Sequence, residues 1–339
     1  MRRSSVADTS IAGDANRWNK LSPVLGIVPI WWCIAILFVS TGATCLPKRT
    51  IPEFQPTKLF QSPPTVEQLA EVLNRSNTIQ SLQSNSVSVR VNNELNLNAN
   101  LTWLRPRFFR MTGTVAGFKG FDLGSNNEAF WMSVRSGMTP ELYFARHDLF
   151  DAIPNRRILP VSPIWIIEAL GINSLDTYQM VQAPVTQADG LWQITTQVPS
   201  PSGIYLRTLV VDPLYGLTRQ VFLRDPSGRL IANAFQSDHQ YYGAVQSSLP
   251  HKIKIQLIPG SNDPPLELDL TIGSYVVNGM NGDPGTQFAF PNTSGHQVID
   301  LIELTNGDPQ AVMNPPVAPP QAFPRASYRG VPWDSAIAR

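Results

Sequence analysis

In ELNLNANLTWL, residues 94–104, apolar and polar side chains alternate without a break as far as Trp103. Leu95, Leu97, Ala99, Leu101 and Trp103 fall on one face of an extended chain, and Asn96, Asn98, Asn100 and Thr102 on the other. A period of two marks a strand whose sheet has one dry face and one wet face. RFFRMTGTV, residues 107–115, continues the pattern with Phe109, Met111, Gly113 and Val115 on one side. EAFWMSV, ELYFARH, LWQITTQV, IYLRTLVV, LTRQVFLR, RLIANAFQ, HKIKIQLI and LELDLTIGSYVV read as further strands. Turn clusters separate many of them: GSNN at 124–127, DPLYG at 212–216, DPSG at 225–228 and PGSNDPP at 259–265. The spacing predicts consecutive antiparallel strands, a meander.

Two segments change the period. In TVEQLAEVLNR, residues 65–75, Thr65 and Gln68 form a capping-box pair, and Val66, Leu69, Ala70 and Leu73 recur at helical spacing. SPIWIIEALG, residues 162–171, has Ser162 as cap, Pro163 at the first helical position and Gly171 as stop. Its apolar residues wrap nearly all round, which predicts a largely buried helix. The expected fold class is mostly β (α+β): a strongly curved antiparallel sheet of about ten strands, with two or so helices covering the concave face. No internal repeat is visible.

The longest apolar run lies before all of this. VLGIVPIWWCIAILFV, residues 24–39, follows a mildly basic flank with Arg2, Arg3, Arg17 and Lys20 against Asp8 and Asp14. The small residues Ser40 to Thr44 and then Cys45 come next. Two readings stay open. In one, residues 1–44 are a signal peptide cut before Cys45, whose thiol then takes a diacylglycerol. In the other, residues 24–44 remain as a membrane helix with the basic flank inside. Both place the rest of the chain outside the cytoplasm and beside a membrane. A bacterial lipoprotein carries two or three acyl chains, enough for stable attachment without a helix.

Residues 45–64 hold a run of prolines and no periodicity, a tether; residues 306–339 are a second Pro-rich segment, read as a disordered or extended tail. The domain between them spans 65–305. The 26 Lys and Arg balance 25 Asp and Glu, which leaves no field to attract nucleic acid. Past Cys45 there is no cysteine, so neither a disulfide framework nor a thiolate metal site is available there.

Catalytic chemistry is sparse. His147, His239, His251 and His296 are scattered, with no HExxH, and no nucleophile elbow, phosphate loop or dinucleotide fingerprint occurs. Asp238 and His239 are neighbours, but adjacent strand residues point to opposite faces. No catalytic residue, metal ligand or cofactor is expected.

Three segments resemble the LolA/LolB-like fold, the half-open barrel of bacterial lipoprotein carriers. LRPRFFRMTGTVAGFKGFDLGSNNEAFWMSV has its Pro-x-x-Phe-Arg start and a hairpin before an aromatic strand. VDPLYGLTRQVFLRDPSGRLIANAFQ is similar to its Asp-Pro, Gly-Leu, Asp-x-x-Gly double hairpin. The stretch from SDHQYYG to FAFP repeats its Leu-Pro before a strand, its Val-Asn and its closing Phe-x-x-Pro. The resemblance spans roughly residues 65–292, and the lipobox-like GATC agrees with it, although Gly42 stands where a branched apolar residue is usual. It implies a half-open barrel and an acyl-chain ligand, without carrying over any particular loop or catalytic residue.

Leu97, Leu101, Trp103, Met111 and Phe130 are the candidate lining of such a cavity; a solid core would produce the same alternation. Arg105, Arg107 and Arg110 are candidates to meet lipid headgroups or to sit on a solvated strand face. The leading expectation is an envelope lipoprotein that binds or transfers lipid or lipoprotein acyl chains. The alternative is a structural or interaction lipoprotein with a filled barrel, whose Pro-rich tail contacts an envelope partner. A regulatory subunit held by an uncleaved helix is the third. Leu46, in place of the aspartate associated with inner-membrane retention in enteric bacteria, points toward the outer membrane, facing the periplasm. Mass spectrometry of protein extracted from its native membrane should find a chain that starts at Cys45 and carries diacylglycerol. A chain that retains Trp31 and Trp32 would instead establish the membrane helix.

Overall fold

The alternating segments pair into one sheet of fifteen strands in the computed structural model, which describes residues 56–115, 118–134, 140–153, 159–260 and 264–305. The apolar segment 24–44, Cys45 and the tail 306–339 lie outside the described residues. The first meander runs β1 (Ser81–Val91), β2 (Leu95–Leu104), β3 (Phe108–Val115), β4 (Phe118–Ser125), β5 (Ala129–Val134) and β6 (Glu141–Arg146). The second runs β7 (Val185–Thr186), β8 (Trp192–Ser200), β9 (Gly203–Asp212), β10 (Leu217–Arg224), β11 (Leu230–Tyr242), β12 (Ser247–Leu257) and β13 (Leu266–Ile272). They meet where β13 lies antiparallel to β1, with Val89 opposite Leu270. β14 (Val276–Val277) also pairs with β1, and β15 (Gln297–Asp300) runs parallel to β6 at one edge. β15 and β7 end the strand order, so the curved sheet stays open.

The single meander of about ten strands is therefore corrected to two meanders and fifteen strands. The residues explain what the alternation concealed. In β1 the register shifts between Ser84 and Val87, so Leu82 and Ser84 face inward before the bulge and Val87 and Val89 after it. β4 is rich in glycine, a weak strand former, and extends into the predicted GSNN turn as far as Ser125. A Cβ on Gly124 would lie 2.1 Å from the Trp131 ring, which occupies that space. β7, β14 and β15 are too short to show a period.

The helices are α1 (Val66–Asn74), α2 (His147–Asp151), α3 (Pro163–Ala169), α4 (Pro284–Gln287) and α5 (Leu301–Thr305). The Thr65–Gln68 capping box is present in both directions and opens α1. Ser162 takes the N-cap position of α3 without a side-chain bond, and Gly171 follows in a left-handed conformation, φ 93. Trp165, Ile166, Ile167 and Ala169 are all buried, as the wrapped apolar pattern requires. Leu69 and Leu73 of α1 join them in one cluster with the inward residues of the sheet. Among the described residues no helix is long and apolar enough to cross a membrane.

One ion pair fixes α3 to the sheet. Arg207, buried on the inner face of β9, donates to Glu168 at 2.9 Å, to the Ser174 carbonyl at 2.8 Å and to Thr196 Oγ1 at 3.2 Å. Arg207→Met removes the only cation of that set and leaves Glu168 facing an apolar floor. It should lower unfolding stability by about 3 kcal/mol, the cost of breaking a buried pair. A urea midpoint unchanged from wild type would mean that the pair does not hold the helix.

Candidate functional site

The five candidate cavity residues come together on one inner face. Leu101 stands opposite Met111 across β2 and β3, and Met111 opposite Leu123 of β4. Phe130 packs edge-on against Phe150 of α2, with ring centroids 4.8 Å apart. Leu101 and Phe130 are 0% exposed, Trp103 1%, Met111 3% and Leu97 4%. This face is packed shut by other side chains. Trp103 differs from its neighbours in one respect: its indole N–H is buried with no hydrogen-bond partner.

Arg105 and Arg110 are taken up by partners within the fold. Arg105 donates to the carbonyls of Ile79 and Ser76 and lies 5.4 Å over the Trp103 ring, tying the start of β1 to the end of β2. Arg110 forms a two-pronged pair with the fully buried Asp122, at 3.2 and 2.7 Å, and donates to the carbonyls of Gln287 and Ala289. Thus the outward side of β3–β6 is itself covered. Phe288 packs on Phe108, and Phe290 packs edge-on to both Trp131 and Phe144. The closing Phe-x-x-Pro segment is a strap across the back of the sheet, with Arg110 as its fastening.

Other motif residues are turn chemistry. Asp212 accepts from the amides of Leu214 and Tyr215, and Gly216 follows at φ 64. Asp225 accepts from Ser227 and Arg229, and Gly228 follows at φ 85. Asn278, at φ 54, accepts from the amides of Gln80 and Ser81 and donates to the Thr78 carbonyl, which seats the start of β1.

Three of the four histidines, His147, His239 and His251, are buried, each in a separate setting. His251 Nδ1 donates to the Ile272 carbonyl at 2.7 Å, which leaves Nε2 to accept from the Tyr242 hydroxyl at 2.9 Å. His147 Nε2 donates to the Asn126 carbonyl at 3.0 Å. His239 faces the interior, and Asp238 turns the other way to Lys252. Burial lowers the pKa of all three, and that of His239 falls to about 4 with the Arg219 charge adding to the effect. Each therefore holds its proton less tightly in the fold than in the unfolded chain, and folding disfavours the charged form. The stability they contribute is complete above pH ~6.5 and is lost as pH falls through their lowered folded-state values, about 4 for His239. His239 alone accounts for about 3 kcal/mol of that loss, from a shift of 6.5 to about 4 at 1.36 kcal/mol per unit. Urea unfolding at pH 7.5, 5.5 and 4.5 should show this slope, and His239→Gln should flatten it.

No protein-family model matches the chain, and no curated protein matches it. Among solved structures it is similar to a domain described as an outer membrane lipoprotein-sorting protein from Vibrio parahaemolyticus, at 8% identity and TM-score 0.42, over 65% of this chain and 97% of that one. It is also similar to a LolA superfamily protein from Nitrosomonas europaea, at 13% identity and TM-score 0.40, over 67% of this chain and 98% of that one. A third is a DUF1329 family protein from Desulfovibrio piger, at 13% identity and TM-score 0.40, over 68% and 97%. Identities and scores this low leave the site to be read from its own residues.

Proposed function

We propose that this chain is a membrane-tethered envelope protein that binds or transfers lipid or lipoprotein acyl chains, held through lipidated Cys45 at the outer membrane and facing the periplasm. The observation that carries the reading is Trp103: like Trp165 in the same apolar cluster, it has a buried indole N–H without an acceptor. An acyl ester supplies both things the face lacks, a carbonyl oxygen for the donor and methylenes for the surround. Each buried methylene contributes about 0.8 kcal/mol, so a chain of about sixteen carbons gains about 10 kcal/mol before entropy losses. The sheet is open, and short helices cover its inner face, so room for a guest is made by shifting helices without breaking the ladder. The resemblance of the hairpins and of the closing segment to lipoprotein carriers supports the same ligand class.

The second reading, a filled structural or interaction lipoprotein, is favoured by the packing itself, since none of the five inner residues is more than 4% exposed. Lipid extraction and mass spectrometry of protein purified without detergent exchange separates the two. Stoichiometric ester lipid is expected for a carrier. Lipid present only as the covalent anchor would leave the filled reading standing. Trp103→Phe keeps the packing and deletes the donor, and should weaken retention of ester lipid by about 3- to 10-fold.

A further inference from the structure

The tether joins the described fold along a cleft. Pro56 and Leu59 line it, with Val72 and Leu73 of α1, Tyr215 of the β9–β10 turn and Tyr241 near the end of β11. The Leu59 and Phe60 amides both donate to the Leu214 carbonyl, at 2.9 and 3.1 Å, which fixes this part of the tether to the turn. Gly216, at φ 64, permits the close approach: a Cβ there would lie 2.5 Å from Val72 Cγ1 and 3.4 Å from Leu59 Cδ1. Tether, helix and turn thus meet around one glycine.

The rim of this cleft is apolar and uncharged where it meets solvent. Leu59 is 42% exposed and Tyr241 41%, and Val72 and Tyr215 are partly exposed. No Lys, Arg, Asp or Glu lines the cleft. Single exposed apolar residues occur elsewhere, Ile204 among them, and need no explanation. Here they gather around the point where the tether arrives. Tyrosine suits the boundary of a bilayer, since its ring is apolar and its hydroxyl reaches the wet side. Lys58, next along the tether, is exposed and supplies one cation for an anionic headgroup. Leu73 lines the cleft and also belongs to the core cluster, so the rim is continuous with the apolar interior.

The length of the tether says what covers this rim. Residues 46–55 separate Cys45 from Pro56, and these ten residues extend over about 36 Å at most. A protein partner would have to find the cleft from solution, whereas a short tether keeps lipid within its reach at all times. We propose that the rim carrying Leu59, Tyr215 and Tyr241 is the surface of the domain that lies in the headgroup layer of the bilayer. This inference rests on the reading that the chain is tethered to a membrane, by acylated Cys45 or by residues 24–44 as a helix. It adds which face of the domain meets the lipid.

The test uses the full chain carrying Cys33→Ser, reconstituted in vesicles of phosphatidylethanolamine and phosphatidylglycerol with acyl chains brominated near the headgroups. Bimane is attached at Tyr241→Cys, at Tyr215→Cys and, as a distant control, at Ile204→Cys. Ile204 is 52% exposed and lies about 26 Å along β9 from Asp212, where the turn begins. The chain with no added cysteine measures any label on Cys45 itself. A rim seated about 5–10 Å into the headgroup boundary should be quenched about threefold more than the control. Leu59→Asp should lower that quenching at both rim labels while the chain still floats with the vesicles. Flotation with equal quenching at all three sites, or with most at Ile204→Cys, overturns the inference and leaves the tether standing. A chain that does not float overturns the tether, and the inference with it. Two rim labels keep the reading available if one variant fails to fold.

Discussion

An open sheet of this length presents more apolar surface on one face than a helix of nine residues can cover. The rest of the domain is arranged to meet that constraint. The chain leaves β6, crosses the inner face as α2, α3 and the loop beyond, and only then resumes strands at the far edge. Burying the crossover brings polar groups inward with it, and Arg207 meets Glu168 and the Ser174 carbonyl there. The outer face needs cover at one end as well, because β5 buries Phe130 on one side and Trp131 on the other. The strap through Phe288 and Phe290 answers that need, and Arg110 with Asp122 joins it to the sheet.

Much of this was legible where period and propensity agree. β2 could be read residue by residue, apart from Leu95, which is 45% exposed at the open start of the strand. The helix from Val66 announced itself through its capping box, and the one from Pro163 through its proline and glycine. What escaped were the places where one residue breaks the period. The extra residue between Ser84 and Val87 disguised β1 among its serines, and the left-handed Asp238 hid the fact that Gln236 and His239 share a face. The β1–β13 seam joins segments about 180 residues apart through ordinary ladder bonds, which leave no local mark.

The segments that carried the family resemblance proved to be the joints of the structure. Asp212, Gly216, Asp225 and Gly228 shape hairpins, Asn278 seats the first strand, and Phe288 with Phe290 closes the back. Such positions constrain backbone path and say little about a guest. The interior residues that would meet an acyl chain are Leu, Met, Phe and Trp, which cores use interchangeably and which therefore leave a weak trace.

The two free edges of the sheet have a consequence for crowding. β7 has two residues and β15 has four, and β15 runs parallel to its neighbour. A long bare edge offers a ladder on which another copy can continue the sheet. β7 pairs only with Trp192 and Gln193 of β8, and the Met180–Thr196 bridge and the Val181 amide on the Thr195 carbonyl occupy the next part of that edge. Among the described residues, the stretch of bare ladder that a second copy could extend is therefore shorter than the strands behind it.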